Sequence, residues 1–268
     1  MPELSRVVNN QHGLKLRKMD TIYIGYDPRE HLAVNVLIDS IERLSSRPIN
    51  VVTLNMMGLR RAGLYGCAPH VQSTCWGDGS EKHMIDLFDK KPFSTDFSFS
   101  RFLVPHLNQY EGFALFMDCD MYFRSDPCEL FDKYATEDCP PLRVIQHKQK
   151  VRDGLKMYGC PQTKYTRKNW SSVMFWNCGH PSNYNLTVSD VNTKSGNWLH
   201  NFRWLKDDEV KDLPEEWNWL DDHSDASIEP KNVHFTTGGP WFKSLGWKPQ
   251  RPIDNKYSDE WLLLAQNF

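Results

Sequence analysis

The stretch FALFMDCD, Phe113 to Asp120, sets five apolar residues in succession before two aspartates that flank a cysteine. A strand that alternates apolar and polar residues keeps one face in water. A strand that is apolar at every position must be covered on both faces, which points to the interior of a mainly parallel sheet with helices on either side. The start of the chain agrees. TIYIGYD (21–27) reads as a buried strand. The segment from Arg29 to Ser46 spaces Leu32, Val36, Leu37, Ser40, Ile41 and Leu44 at helical period, and PINVVTLN (48–55) reads as a second strand. A β-α-β order within the first 55 residues predicts parallel strands joined by a right-handed crossover. The expected fold class is therefore α/β: a mostly parallel, Rossmann-like sheet flanked by helices, in a single domain over 21–268 behind a polar arm over 1–20.

Further along, residues 56–97 are rich in Gly, Pro and Cys and read as loop with short helices. Residues 98–110 and 200–210 read as helices, 128–134 as a helical turn, and 142–147, 171–177 and 232–236 as strands. SDEWLLLAQNF (258–268) reads as a closing helix capped by Ser258. A net charge of −2, with 25% charged residues, sets up no strong field toward nucleic acid or an anionic membrane. No stretch approaches 18 uncharged apolar residues, so no transmembrane segment is expected; peripheral membrane contact stays open. The seven cysteines are odd in number and contain no C-x-x-C pair, which speaks against a zinc cluster or a disulfide framework. Reduced thiols and the lack of an apolar leader at the start predict a cytoplasmic protein.

Chemistry enters at Asp118 and Asp120. In an extended chain residues i and i+2 share a side, about 7 Å apart at their Cα atoms, so both carboxylates can lean on one hard divalent cation while Cys119 points inward. The carboxyl ends of parallel strands are where open α/β sheets bind ligands. A D-x-D after a strand is equally a solvated turn, but no Lys or Arg within this strand relieves its charge, which favours a cation. His234 lies in VHFTTGGPWF. A histidine after an apolar residue is commonly structural, yet Gly238 and Gly239 let backbone N–H groups approach an anion closely. An Asp/Asp/His set suits Mn²⁺ better than a site made for Mg²⁺ alone. Tyr26, Asp27 and Arg29 follow the first strand without a G-x-G-x-x-G. An aromatic and an acid there can hold the base and ribose of a mononucleotide; equally, Asp27 before Pro28 makes a helix N-cap. Arg167 and Lys168 precede a strand ending in Asn177 and can neutralise a diphosphate, or form an ordinary basic loop. In WLKDDEVKDLPEEWNWLDD (204–222), Asp207 and Asp208 are candidates for sugar contacts or for a solvated helix face, and Trp217 and Trp219 for sugar stacking or core.

Together these stretches resemble the GT-A-fold glycosyltransferases, and most of all the retaining family-8 enzymes and their bacterial and phage relatives. FSFSRFLVPHLNQYEGFALFMDCDMYFRSDPCELFD (97–132) is similar to that family's central block: an arginine-bearing helix, the D-x-D strand and an E-L-F-D turn. SSVMFWN resembles a strand ending in Asn, LPEEWNWL an L-P-x-x-W-N segment, and HFTTGGPW the C-terminal H-x-x-G-x-x-K-P-W motif. The resemblance implies a GT-A domain that moves a hexose-type sugar, with retention, from a nucleotide sugar (a UDP-sugar) to a hydroxyl of a glycan, lipid-linked glycan or other acceptor. It implies Mn²⁺ or Mg²⁺ held by Asp118, Asp120 and His234. It puts Arg101 on the donor sugar, and Tyr26 and Asp27 at the base with Arg29 beside them. Asn177 falls on a sugar, and Asp207 or Asp208 near the reacting carbon. Gly238, Gly239 and Trp241 fall in the motif beside the diphosphate. One departure stands out: the motif's lysine, two before the Trp, is Gly239 here. Lys168 first, then Arg167 or Lys243, must meet the phosphate charge instead. Three other classes stay open from the residues themselves: a haloacid-dehalogenase-type phosphatase with a nucleophilic first Asp, a nucleotidyltransferase, and a non-catalytic carbohydrate-binding relative.

Overall fold

A computed structural model describes residues 19–66, 70–74, 82–86, 88–148, 167, 169–221, 223–236, 238–243 and 256–268. All but the last two residues of the expected arm, and Lys168, lie outside them. In chain order the strands are β1 (Thr21–Gly25), β2 (Asn50–Leu54), β3 (His70–Thr74), β4 (Lys82–Asp86), β5 (Pro92–Phe93), β6 (Phe113–Met117), β7 (Met121–Phe123), β8 (Leu142–Val144), β9 (Val173–Asn177), β10 (Val210–Asp212), β11 (Trp219–Leu220) and β12 (Asn232–His234). The α-helices are α1 (His31–Leu44), α2 (Met56–Arg61), α3 (Val104–Leu107), α4 (Cys128–Tyr134), α5 (Val188–Thr193), α6 (Gly196–His200) and α7 (Lys256–Ala265).

The main sheet has the order β10-β8-β9-β6-β1-β2. β1 lies parallel between β2 and β6, as the β-α-β pattern predicts. β8 and β10 are parallel to one another, and β9 runs antiparallel to both β6 and β8. Ala114, Leu115, Phe116 and Met117 are wholly buried, which is the double coverage that FALFM demands. One of the covering elements, α1, has two apolar flanks. Val34, Leu37 and Ile41 join the main core, while Ala33 and Val36 join a second cluster with Tyr122, Phe235, Trp241 and Trp261. A smaller sheet, β11-β12-β7, lies in this second region.

Several expectations are corrected. The region 56–97 has the expected short helix in α2, but it also forms a three-stranded antiparallel sheet, β3-β4-β5, in place of the expected loop. Its strands are short and unpatterned, and only their mutual pairing makes them strands. The helix expected over 200–210 is not formed: α6 stops at His200, and Asp207–Glu209 make a 3₁₀ turn before β10. Phe202 takes a φ of 54°, which breaks the helix, and Phe202 and Trp204 turn into the core beside Phe102 and Trp176. Ser258 does not cap α7, which begins at Lys256; it is buried within the first turn. Pro105, awkward for a helix over 98–110, sits in the first turn of α3, where its missing N–H costs nothing, and a 3₁₀ turn at Ser100–Leu103 precedes it.

Candidate active site

Register brings the site together. Met117 of β6 pairs with Ile24 of β1, so Asp118 leaves the sheet level with Gly25, at the edge where Tyr26 and Asp27 emerge. The chain bends through Cys119 and Asp120 and returns as β7. His234, at the end of β12, pairs with Met121, and Phe235 donates its N–H to the Asp120 carbonyl at 2.9 Å. A residue 114 positions further along the chain thus lands beside the D-x-D. Asp118, Asp120 and His234 each offer a ligand atom, and these lie within 4.8 Å of one another.

The electrostatics are severe. Asp120 and His234 are almost wholly buried, and Asp118 keeps 16% of its side chain exposed. His234 Nε2 is 3.2 Å from Asp120 Oδ1 but off the line of a hydrogen bond, which leaves lone pairs of a buried carboxylate facing the gap. Burial raises the Asp118 carboxyl above the usual carboxylate range against the pull of Arg101, and Asp120 adds to the rise. Burial would lower the His234 imidazole, but the neighbouring Asp120 outweighs it and the ring's pKa is raised. Two carboxylates and an imidazole around one buried gap, with oxygen lone pairs uncommitted, fit a divalent cation.

The charge-relieving cation that β6 itself lacks comes from elsewhere. Arg101, 5% exposed, sets Nη1 2.8 Å from Asp118 Oδ1 and donates to the Ser171 carbonyl, also at 2.8 Å. Its guanidinium lies over the rings of Phe97 and Phe116, 5.3 and 5.1 Å from their centroids. Arg101 is therefore held by the core as well as by charge.

Glu30 was not singled out in the sequence. It is 1% exposed behind the bend, and its Oε2 accepts from the Cys119 thiol at 2.9 Å. Cys119 points inward as expected, and burial first, then Glu30, push its thiol well above the ordinary range. Burial, with Asp120 next, pushes Glu30 up to about 8. The sign follows from linkage. A carboxyl whose folded pKa is raised binds a proton that the unfolded chain has lost, so its contribution is full below the ordinary value near 4.5 and fades as pH rises through about 8. In EDTA, wild-type stability is expected to fall by as much as about 1.4 kcal/mol per pH unit across that window from this group. Glu30→Gln should flatten the pH–stability curve and be the more stable protein at pH 8. Parallel denaturation curves for the two proteins would show that Glu30 is not protonated in the fold.

Other expected residues fall differently. Asp27 caps the 3₁₀ turn Pro28–Glu30, and its carboxylate accepts from Arg29 N, Nε and Nη2 and from Asp96 N. Asp27 and Arg29 thus hold each other, and Arg29 also donates to the Ser94 carbonyl. Tyr26 stays half-buried at the same edge, its hydroxyl 3.4 Å from His31 Nδ1. Asn177 is displaced from the site. β9 is antiparallel to β6, so its first residue, Val173, pairs with Met117 while Asn177 pairs with Phe113 at the opposite end. Asn177 there donates to the Cys139 carbonyl. The residues of this segment that do reach the ligand edge are Ser171 and Ser172, whose carbonyl accepts from Asp118 N at 2.9 Å. Asp207 and Asp208 are exposed; Val210 enters β10 beside Leu142, at the end of the sheet remote from Asp118, and Asp207 pairs with Arg167. Arg167 also donates to the Asn201 carbonyl, so its charge is already engaged.

In the glycine loop, Gly238 adopts a φ of 111°, open to glycine, and donates its N–H to the Phe235 carbonyl rather than outward. A Cβ on Gly239 would stand 1.8 Å from the Trp241 ring. Trp241 is buried against Phe235 and Trp261, so it is core and Gly239 is the space it needs. Trp217 and Trp219 are buried too.

Among the described residues no helix is long and apolar enough to cross a membrane; Cys119, Cys128 and Cys139 are free and buried, and Cys178 is buried.

No family model matches the sequence. It is 40% identical over 263 residues to Protein CDI of Arabidopsis thaliana, across 96% of this chain and 90% of that protein. Among solved structures it superposes on the galactosyltransferase LgtC, determined with donor and acceptor sugar analogues. The TM-score is 0.54 at 14% identity, over 93% of this chain and 96% of that one. It superposes on the bifunctional glycosyltransferase WbbM with a TM-score of 0.58 at 15% identity, over 97% of this chain but 51% of that one, so it spans about half of WbbM. These two structures share the GT-A fold, and so does this chain.

Proposed function

We propose that this chain, which belongs to the family of Protein CDI of Arabidopsis thaliana and has the GT-A fold, is a metal-dependent glycosyltransferase that moves a hexose-type sugar from a UDP-sugar to an acceptor hydroxyl. The observation that carries the reading is the convergence of Asp118, Asp120 and His234 at the strand edge, beside a buried Arg101. LgtC, with the same fold, was solved with donor and acceptor sugar analogues. In this reading Asp118, Asp120 and His234 would hold Mn²⁺ or Mg²⁺, and the ion would supply positive charge for a leaving diphosphate. The chain's own residues do the remainder. Arg101 fixes the Asp118 carboxylate and the Ser171 carbonyl, and it orients the donor sugar from the same edge. Tyr26 offers a half-buried ring to the base. Retention belongs to the proposal. With Asn177 at the opposite end of β9 and Asp207 held by Arg167, entry of the acceptor on the leaving-group face is the route the arrangement favours over a covalent sugar on either residue. The acceptor is a glycan or another hydroxyl compound, and the whole span from residue 21 onward acts as one catalytic unit in a reducing, cytoplasmic setting, in keeping with the free cysteines.

Calorimetry with UDP and a panel of UDP-sugars, with and without Mn²⁺, tests this. Binding of at least one UDP-sugar that weakens tenfold or more in EDTA is expected. Absence of metal-dependent binding to any nucleotide sugar overturns the reading. Hydrolysis of a simple phosphate ester, without use of nucleotide sugars, would point to the phosphatase class instead.

A further inference from the structure

Asn218 ends the 3₁₀ turn Glu215–Asn218, in the segment LPEEWNWL, and is 1% exposed. Its Nδ2 lies 2.9 Å from Ser172 Oγ and 3.1 Å from His147 Nε2, and its Oδ1 lies 2.9 Å from His234 Nδ1. The chemistry of the neighbours decides which way the carboxamide faces. The Ser172 hydroxyl sends its proton to the Asn169 carbonyl at 2.7 Å, so toward Asn218 it offers lone pairs. His147 is buried, and burial first, with His234 and His223, pushes its pKa down to about 3. The ring is neutral, and its Nδ1 faces the Glu215 carboxylate at 4.0 Å, the side on which a proton is favoured, which leaves the Nε2 lone pair for Asn218. Both amide hydrogens of Asn218 thus have acceptors. Its oxygen must face His234, and the hydrogen between them must come from His234 Nδ1.

We propose that Asn218 is a positioning residue: it fixes His234 as the Nδ1–H tautomer through the chain Asn169 carbonyl, Ser172 hydroxyl, Asn218 carboxamide, His234, and so presents Nε2 beside Asp120 as a metal ligand. The metal part rests on the function proposed above. The choice of residue has a reason. A carboxylate at 218 would accept from His234 equally well, but it could not donate to Ser172 and His147. It would also add a further negative charge to a pocket that already holds Asp118 and Asp120. A carboxamide donates twice, accepts once and carries no charge. Partners of this kind orient a ligating imidazole, and their loss commonly weakens metal binding ten- to a hundredfold.

The test reads the ring itself. In protein labelled with ¹⁵N-histidine, in EDTA and at alkaline pH where the ring is neutral, two-bond proton–nitrogen correlations report the tautomer. The His234 signals are identified by their absence in His234→Gln. Wild type is expected to show Nδ1–H, and Asn218→Leu to move toward Nε2–H with an Mn²⁺ dissociation constant ten- to a hundredfold higher. Asn218→Asp keeps the acceptor and should return the ring to Nδ1–H. Should Asn218→Leu fail to fold, Ser172→Ala, which loosens the amide, should show a mixed tautomer. A wild-type ring in the Nε2–H form overturns the relay, whatever the metal result and without recourse to any variant. An unchanged tautomer in a folded Asn218→Leu protein that is merely less stable overturns it as well. An Nδ1–H ring in a protein that binds no Mn²⁺ overturns the metal centre and leaves the relay standing.

Discussion

Asp120→Asn is expected to lose roughly a thousandfold in kcat/KM for sugar transfer, about 4 kcal/mol of transition-state stabilisation, and to melt close to wild type in EDTA. The two halves of this result have one cause. Asp120 is 5% exposed, and its Oδ1 lies in a gap shared with Asp118 without an aligned hydrogen bond. Two carboxylates in one desolvated pocket repel unless a cation sits between them. Without metal, that repulsion opposes the attraction of Asp120 for the His234 imidazole 3.2 Å away, so a neutral isostere removes both and leaves the fold close to its wild-type stability. With metal and donor it is a ligand, and the same replacement removes the site's purpose. Differential scanning calorimetry in EDTA and initial rates in Mn²⁺ measure the two halves separately. Retained activity would take the D-x-D out of the mechanism, and a melting point several degrees lower would show that Asp120 supports the fold.

A clear loss of stability is expected at Arg101 instead. Arg101→Met removes the guanidinium that faces Asp118 and donates to the Ser171 carbonyl, leaving a mostly buried carboxylate without its partner. Breaking a buried pair from one side costs about 3–5 kcal/mol. At roughly 2–4 °C per kcal/mol for a chain of this size, the melting point in EDTA should drop by about 6–20 °C. Saturating Mn²⁺ should restore part of the loss, because a cation that binds only the native state stabilises it. Arg101→Lys should fall between, keeping a charge but losing the planar contact with Phe97 and Phe116. An Arg101→Met protein that melts like wild type in EDTA would mean that the pair with Asp118 does not hold this edge together.

How legible this was in the sequence varies residue by residue. FALFM announced a doubly covered strand because burial on both faces leaves its mark at every position. The first β-α-β unit was legible for the same reason: α1 and its flanking strands have local periods that only one arrangement satisfies. The antiparallel sheet β3-β4-β5 was not, because short polar strands become strands by pairing with partners that no local window contains. Asn177 was misplaced because an alternating or apolar run reads the same in either direction. The pattern says strand but not which way it points, and β9 points against its neighbours. Trp241 and Gly239 read as a phosphate loop because glycine beside an aromatic suits an anion cradle as well as it suits tight packing. Contact with Phe235 and Trp261 decides for packing.

The sequence by itself determined that two carboxylates stand at the end of a buried strand and that a histidine follows far along, because ligand chemistry requires particular side chains and side chains are what a sequence states. The tertiary structure decided what those groups meet. The pairing of β12 with β7 carried His234 to Asp120, a preceding helical turn supplied Arg101 to Asp118, and the turn at Glu215–Asn218 set a carboxamide between two histidines and a serine. Strand direction, register and the aim of a buried amide are settled by contacts between segments distant in the chain, and no local spacing of residues encodes them.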